Sequence, residues 1–286
     1  MAQSWGVIGC AYMAREYCKV LLAKGVVPQV YSRNLTSTNV TEFKQAFPQL
    51  HVKTLEQIGP DVDHWLVCTN IESHAEICSK LPGEVYCEKP YAHDASYDAD
   101  CHVSLLMNRR YYFWVLEMRG RIERGEIHKV VASIPEKSAD ALITQSIHVI
   151  DLLWYLCGPF EPASRVGLAC PTYTLLAKRG LPVVINMNYG AHENFSVRFY
   201  AQGGVVYEAR PVEAFGISKG MEVREPDDEL PIRTYRPLIH AVPYEATGYK
   251  PGLGELIDDL IGGKPSRLPT LAEHRDIHAW MERNML

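Results

Sequence analysis

A tight turn near the start of the chain carries small residues at the spacing that holds a diphosphate. It reads Gly6-Val7-Ile8-Gly9-Cys10-Ala11-Tyr12-Met13-Ala14. Aligned to the pattern GxGxxG/A, the three small positions fall on Gly9, Ala11 and Ala14. The first allows the tight turn and the third lets helix and strand pack closely; the second normally lets backbone approach a pyrophosphate. Here that second position carries the extra methyl of Ala11. A strand before the turn and a helix after it would aim the helix N-terminus, with Tyr12 and Met13 in its first turn, at the phosphates. A second cluster, Tyr31-Ser32-Arg33-Asn34, follows at the end of the next strand. A carboxylate there would bind the adenosine ribose 2′-hydroxyl, whereas a cation accommodates a 2′-phosphate. Ser32 can donate to a phosphate oxygen and Arg33 can pair with it through two N–H groups. The expected cofactor is a nicotinamide dinucleotide, NADP(H) in preference to NAD(H), with Asn34 beside the 2′-phosphate.

The elements that must position these residues alternate. Trp5–Cys10, Val27–Ser32, His64–Cys68 and Glu84–Cys87 read as strands, with helical spacing over Tyr12–Lys24 and Ser73–Leu81. Thr54 and Gln57 have the spacing of a capping box. Strand–helix alternation means a parallel sheet covered by helices. After about residue 126 the pattern changes to β-rich segments: 127–134, 165–170, 173–177, 182–189, 195–201 and 205–209. One helix interrupts them near 147–157, and two close the chain near 253–261 and 271–285. Sequential strands with short turns predict an antiparallel sheet. The expected fold is α/β: a Rossmann-type parallel-sheet domain over 1–107, then an α+β domain over 108–286 with an open, mainly antiparallel sheet. The second domain would bind substrate on one sheet face and pair with another copy through the other.

The strand over 84–87 runs into Glu88-Lys89-Pro90, and at these residues the chain resembles the Gfo/Idh/MocA oxidoreductase family, the glucose–fructose oxidoreductase and inositol dehydrogenase group. The resemblance covers nearly the whole length. It rests on the glycine turn, Thr69-Asn70-Ile71-Glu72-Ser73-His74, Glu88-Lys89-Pro90, Asn108-Arg109-Arg110-Tyr111, Gly125-Glu126-Ile127, His148-Val149-Ile150-Asp151, and Leu268-Pro269-Thr270-Leu271. It implies that Lys89 is the catalytic lysine beside the nicotinamide, with a cis Lys89–Pro90 peptide, and that His148 is the catalytic histidine. Thr69, Asn70, His74, Glu88 and Lys89 are implied on the cofactor side, His74 in packing or capping. Arg110, Thr144, Ser146 and Asp151 are implied near substrate. An ammonium at the carboxyl end of a parallel strand can polarise a substrate oxygen. His148, Asp151 and Tyr155 share one helix face, opposite Ile147, Ile150 and Trp154. Two departures stand out. The family aspartate falls on Thr144 and its glycine on Ser146, so a Lys–Asp–His trio is not available as written. Residues 91–100 are turn-rich and too short for the usual helix plus a strand, which trims the first domain at that edge.

The implied reaction is hydride transfer to or from a carbonyl or alcohol carbon of a sugar, nucleotide-sugar or similar polyhydroxylated small molecule. The alternatives are reduction of an imine or conjugated double bond, and cofactor binding without turnover. Composition bounds the rest. Of 286 residues, 47% are hydrophobic and 22% charged, as in ordinary globular proteins. Lys plus Arg is 29 against 34 Asp plus Glu, a net −5 without the basic excess of a nucleic-acid binder. No apolar run reaches membrane-span length and no leader pattern opens the chain. The eight cysteines form no CxxC pair and no Cys/His group has zinc-ligand spacing, so no metal is expected. They read as small buried hydrophobes in a reducing compartment, and the expected location is cytoplasmic.

Overall fold

The computed structural model describes residues 3–98, 102–138, 142–167, 170–244, 247–263 and 267–285. The chain divides into two compact units, Met1–Tyr111 with Ala246–Leu286, and Tyr112–Glu245.

The first unit begins β1 Trp5–Ile8, α1 Tyr12–Ala23, β2 Gln29–Ser32, α2 Thr38–Ala46, β3 Val52–Thr54, β4 His64–Val67, α3 His74–Cys78, β5 Glu84–Cys87 and β6 Val103–Leu105. Its six strands lie in the order β3-β2-β1-β4-β5-β6, and every pairing is parallel. This is the doubly wound arrangement in which strand order reverses beside β1, opening a crevice between β1 and β4. Val7, Leu66 and Val67 are fully buried, as strands covered on both faces require. Thr54 opens only a single 3₁₀ turn, Leu55–Gln57. Residues 91–98 form no helix, as expected, yet β6 survives and pairs with β5. Fifteen residues separate the end of β5 from the start of β6, enough chain to cross over with no helix at 91–98, so the edge keeps its strand.

The second unit holds α4 Val115–Glu123, β7 Ile127–Glu136, α5 Ile147–Cys157, β8 Glu161–Val166, β9 Thr172–Leu176, β10 Pro182–Tyr189, β11 Ser196–Ala201, β12 Val206–Ala209, β13 Phe215–Arg224 and β14 Thr234–Val242. The eight strands run β14-β13-β12-β11-β7-β10-β9-β8, antiparallel throughout except β7 with β10. β10 and β11 alternate buried with half-exposed residues, so the sheet has one covered face and one open face. Trp114 stacks on Phe215 at 5.4 Å and donates its indole N–H to the Val212 carbonyl at 2.9 Å. The strand expected over 165–170 lies earlier, at 161–166; residues 168 and 169 are outside the described ones. The long β13–β14 pair was not expected at all. Most of its residues are exposed, so its sequence lacks the apolar alternation that marks a half-buried strand.

The chain then closes with α6 Leu253–Ile261 and α7 Leu271–Asn284. A single boundary after residue 107 was expected, with all of 108–286 in the second domain. The division instead returns the last forty or so residues to the first unit. The cause is the buried stripe Leu253, Leu256, Ile257 and Leu260 of α6, which joins Tyr17, Val20 and Leu21 of α1 in one core. At ~1.5–3 kcal/mol per buried side chain this stripe is a large share of a domain's net stability. Among the described residues no helix is long and apolar enough to cross a membrane.

Helix α7 buries His274 completely, and neither ring nitrogen has a hydrogen-bond partner among the described residues. Burial first, then the charges of His278, Arg110 and Lys89, push its pKa down to about 3. Above pH 6.5 the ring is neutral in both folded and unfolded chains and contributes no pH dependence. Below that, the unfolded chain takes up a proton the native ring refuses, so stability falls with acidification. Urea denaturation should show wild type losing about 2–3 kcal/mol between pH 6.5 and 4.5 that His274→Met retains.

Candidate active site

Between the carboxyl ends of β1, β2 and β4 lies a cleft of about 420 Å³. Its lining includes Gly9, Cys10, Ala11, Ser32, Arg33, Asn34, Thr69 and Asn70, and no carboxylate. The turn that floors it depends on Gly9. Its amide donates to the Tyr31 carbonyl at 2.8 Å, and the Cys68 amide donates to Ile8 at 2.8 Å. Gly9 has φ +113°, and a Cβ there would sit 2.4 Å from the Cys68 carbonyl oxygen. Only glycine permits both the conformation and the contact. Ala11 opens α1 without a side-chain cap, and the first turn has no acidic residue. Its leading N–H groups and the positive end of the helix dipole are left for an anion.

Arg33 is exposed and Ser32 half-buried at the cleft. Ser32 Oγ donates to the Asn34 carbonyl at 3.3 Å. The Asn34 side chain accepts from the Thr36 amide at 2.9 Å and hydroxyl at 2.8 Å, fixing the turn that presents Arg33. Thr69 Oγ1 is buried with no hydrogen-bond partner among the described residues, a polar atom on the cleft wall. Asn70 is occupied locally: its Nδ2 donates to Glu72 Oε2 at 2.6 Å and its Oδ1 accepts from the Ser73 hydroxyl. These features fit a dinucleotide: a backbone cradle that a Cβ would fill, an uncapped helix start, a hydroxyl without a partner among the described residues, and an exposed cation.

His74 and Glu88 do not line this cleft. His74 is buried, with Nδ1 3.0 Å from the Pro90 carbonyl and Nε2 3.1 Å from the Thr69 carbonyl. Burial pushes its pKa down while these carbonyls pull it up. It ties the Thr69 loop to the cis Lys89–Pro90 peptide, which is a holding role beside the cofactor position. Glu88 turns inward, where Tyr17 donates to Oε1 at 2.8 Å. Burial raises its carboxyl pKa, opposed by Tyr17 and by the charges of Lys89 and Lys250. Half-buried Lys89 follows it at the end of β5.

Arg110 was expected near substrate, but it is 2% exposed and belongs to the first unit's framework. Its guanidinium donates to the Arg267 carbonyl at 3.0 Å and to Glu273 Oε1 at 2.9 Å. A buried arginine needs such partners, and these hold its guanidinium within the first unit.

In the second unit, Thr144 is exposed on a single π-helical turn, Leu142–Ser146, that leads into α5. Ser146 is fully buried, and its hydroxyl donates to Glu136 Oε1 at 2.5 Å. That hydrogen bond ties it into the framework at the start of α5. His148 lies in the first turn of α5 at 9% exposure, while Asp151, one turn on, is fully buried. Asp151 therefore lies inside the unit. Tyr155 carries the Arg119 guanidinium 4.3 Å above its ring. Glu136 is the residue that sequence reasoning missed: it places a buried carboxylate beside the start of α5, yet it lies ten residues before Ser146 and in none of the motifs.

No protein-family model and no curated protein matches the chain. Solved structures do. A dehydrogenase (MviM) from Clostridium difficile superposes with TM-score 0.75 at 15% identity, over 99% of this chain and 98% of that one. The chain shares the fold of that protein. A putative NADPH-dependent oxidoreductase from Desulfitobacterium hafniense gives 0.72 at 15% identity over 97% and 93%. A UDP-N-acetylglucosamine 3-dehydrogenase from Acidithiobacillus ferrooxidans gives 0.72 at 16% over 99% and 96%. At these identities the likeness establishes the fold alone.

Gly9→Ala should combine φ strain with a backbone clash and cost about 2–3 kcal/mol by urea denaturation. Gly25→Ala, also at positive φ but with open space around it, should cost only about 1 kcal/mol.

Proposed function

We propose that the chain is a cytoplasmic NADP(H)-dependent oxidoreductase acting on a sugar, nucleotide-sugar or similar polyhydroxylated small molecule. The observation that carries this reading is the cleft at the β1–β4 crevice with Arg33 at its mouth and no carboxylate in its lining. The dinucleotide would be held by the Gly9–Met13 turn, Thr69 and the Ser32–Arg33 pair, and when bound it supplies hydride exchange with a substrate carbon. Lys89 then polarises the substrate oxygen, whose growing negative charge needs a nearby cation. His148 handles the proton on that oxygen, and exposed Thr144 offers a hydroxyl to substrate. Two copies would associate through the open face of the eight-stranded sheet, a large half-apolar surface.

A second reading, reduction of a C=N or conjugated C=C bond, is favoured by Thr144 standing where the resemblance implies a carboxylate. A panel of ketosugars and imines, read by loss of reduced-nicotinamide absorbance, separates the two.

Arg33→Ala should weaken NADPH by about 1.5–3 kcal/mol and leave NADH nearly unchanged, by fluorescence titration. Equal losses for both would remove the 2′-phosphate assignment. Lys89→Ala should lower kcat by ~10²–10⁴ with cofactor affinity intact, and His148→Ala by less. A Lys89→Ala enzyme that keeps most of its turnover while still binding NADPH would move the reaction to the second reading.

A further inference from the structure

The segment that returns to the first unit brings Lys250 to the nucleotide turn, a position no motif marks. Its Nζ lies 3.5 Å from Met13 Sδ and 5.7 Å from the centroid of the Tyr12 ring. Tyr12 and Met13 are the first two residues of α1. Lys250 is half-buried, and among the described residues no carboxylate lies within ion-pair distance of it. Glu88 feels its charge, yet the hydrogen bond to that carboxyl comes from Tyr17. A thioether and an aromatic face are weak partners for an ammonium.

The placement is also electrostatically costly without a ligand. The N-terminus of α1 carries a partial positive charge, with neither an acidic side chain nor a cap to offset it. A second positive charge beside it is unfavourable until an anion arrives between them.

The backbone is held there deliberately. The Leu253 amide donates to the Lys250 carbonyl at 3.1 Å, and buried Asn108 donates to the Pro251 carbonyl at 2.9 Å. Tyr249 packs against the core, and Gly252, at φ +78°, turns the chain into α6. Residues on both sides of Lys250 are therefore fixed, and its ammonium has a defined reach.

On the dinucleotide reading above, we propose that Lys250 is a phosphate ligand, pairing its ammonium with the pyrophosphate over the first turn of α1. It supplies a cation where Ala11 puts a methyl in place of the glycine that would let the backbone approach closely. The pyrophosphate is common to NADPH and NADH, so Lys250 should serve both alike, whereas Arg33 should serve only the first.

The test is equilibrium binding of NADPH and NADH to the full chain by calorimetry, at two salt concentrations. Lys250→Met, which keeps the aliphatic stem, should weaken both cofactors by about tenfold or more. Its affinity should also depend less steeply on salt than wild type's. Lys250→Arg should restore most of the affinity. Urea midpoints should match across the three proteins, which separates a ligand from a framework role. Unchanged affinities in Lys250→Met, with wild type binding normally, overturn the proposal alone. A loss confined to NADPH overturns it too, because it would move Lys250 to the 2′-phosphate. If wild type binds neither dinucleotide, the cofactor reading itself falls.

Discussion

The close approach of the Gly9 backbone to the end of β4 is the contact on which the nucleotide-side architecture rests. The Cys68 carbonyl occupies the space where any other residue at position 9 would carry its Cβ. Because that space is available, the chain can leave β1, accept from the Cys68 amide, donate to Tyr31 and turn into α1 within three residues. β1, β2 and β4 are thereby locked at their carboxyl ends around one turn. The cleft is the consequence: its floor is backbone, its walls are the strand ends, and its polar groups are whatever the following loops present. Moving the turn outward by the width of a methyl would lift the start of α1 away from all three strands.

The rest of the first unit is closed by residues that come last in sequence. Thr270 bridges Ser104 on β6, and the Leu105 amide donates to the Pro269 carbonyl, so the closing loop caps the exposed edge of the sheet. The same Thr270 accepts from the Glu273 amide and starts α7. Glu273 in turn accepts from Arg110. An edge strand left without its helix is a pairing hazard, and here the C-terminal segment covers it. The cost of this closure is a polar interior: His274 and His278 are buried under α7 with burial lowering the pKa of both rings. Neutral rings fit there, and protonated rings do not.

What the sequence shows follows from the range of the interactions involved. The glycine turn, the strand alternation, the cis Lys89–Pro90 step and the absence of a helix over 91–98 are local, and each was legible. The substrate assignments of Arg110 and Ser146 were not secure on the same grounds. What they touch, Glu273 and Glu136, lies far away in the chain or around a turn the pattern does not encode. The β13–β14 pair escaped notice because exposed strands have no hydrophobic period. Domain assignment failed for α6 for a related reason: an amphipathic helix announces that it has an apolar face, never which core will receive it.

Long-range placement also decides the electrostatics of the cleft. Seen as sequence, the nucleotide turn carries no charge, and its two signals are small residues and an uncapped helix start. Folded, it has Arg33 at one side from the β2 loop and Lys250 at the other from the C-terminal segment, with carboxylates kept out of the lining. Glu88, the acid nearest in sequence to Lys89, is turned inward and held by Tyr17, and burial favours its neutral form. With that carboxyl turned away, the nucleotide turn is flanked by two cationic side chains and the positive end of one helix dipole. Such charges favour a polyanion, and on the dinucleotide reading proposed above selectivity would come from shape: the narrow turn at Gly9 for a pyrophosphate, and the Ser32–Arg33 corner for whatever group the adenosine ribose carries.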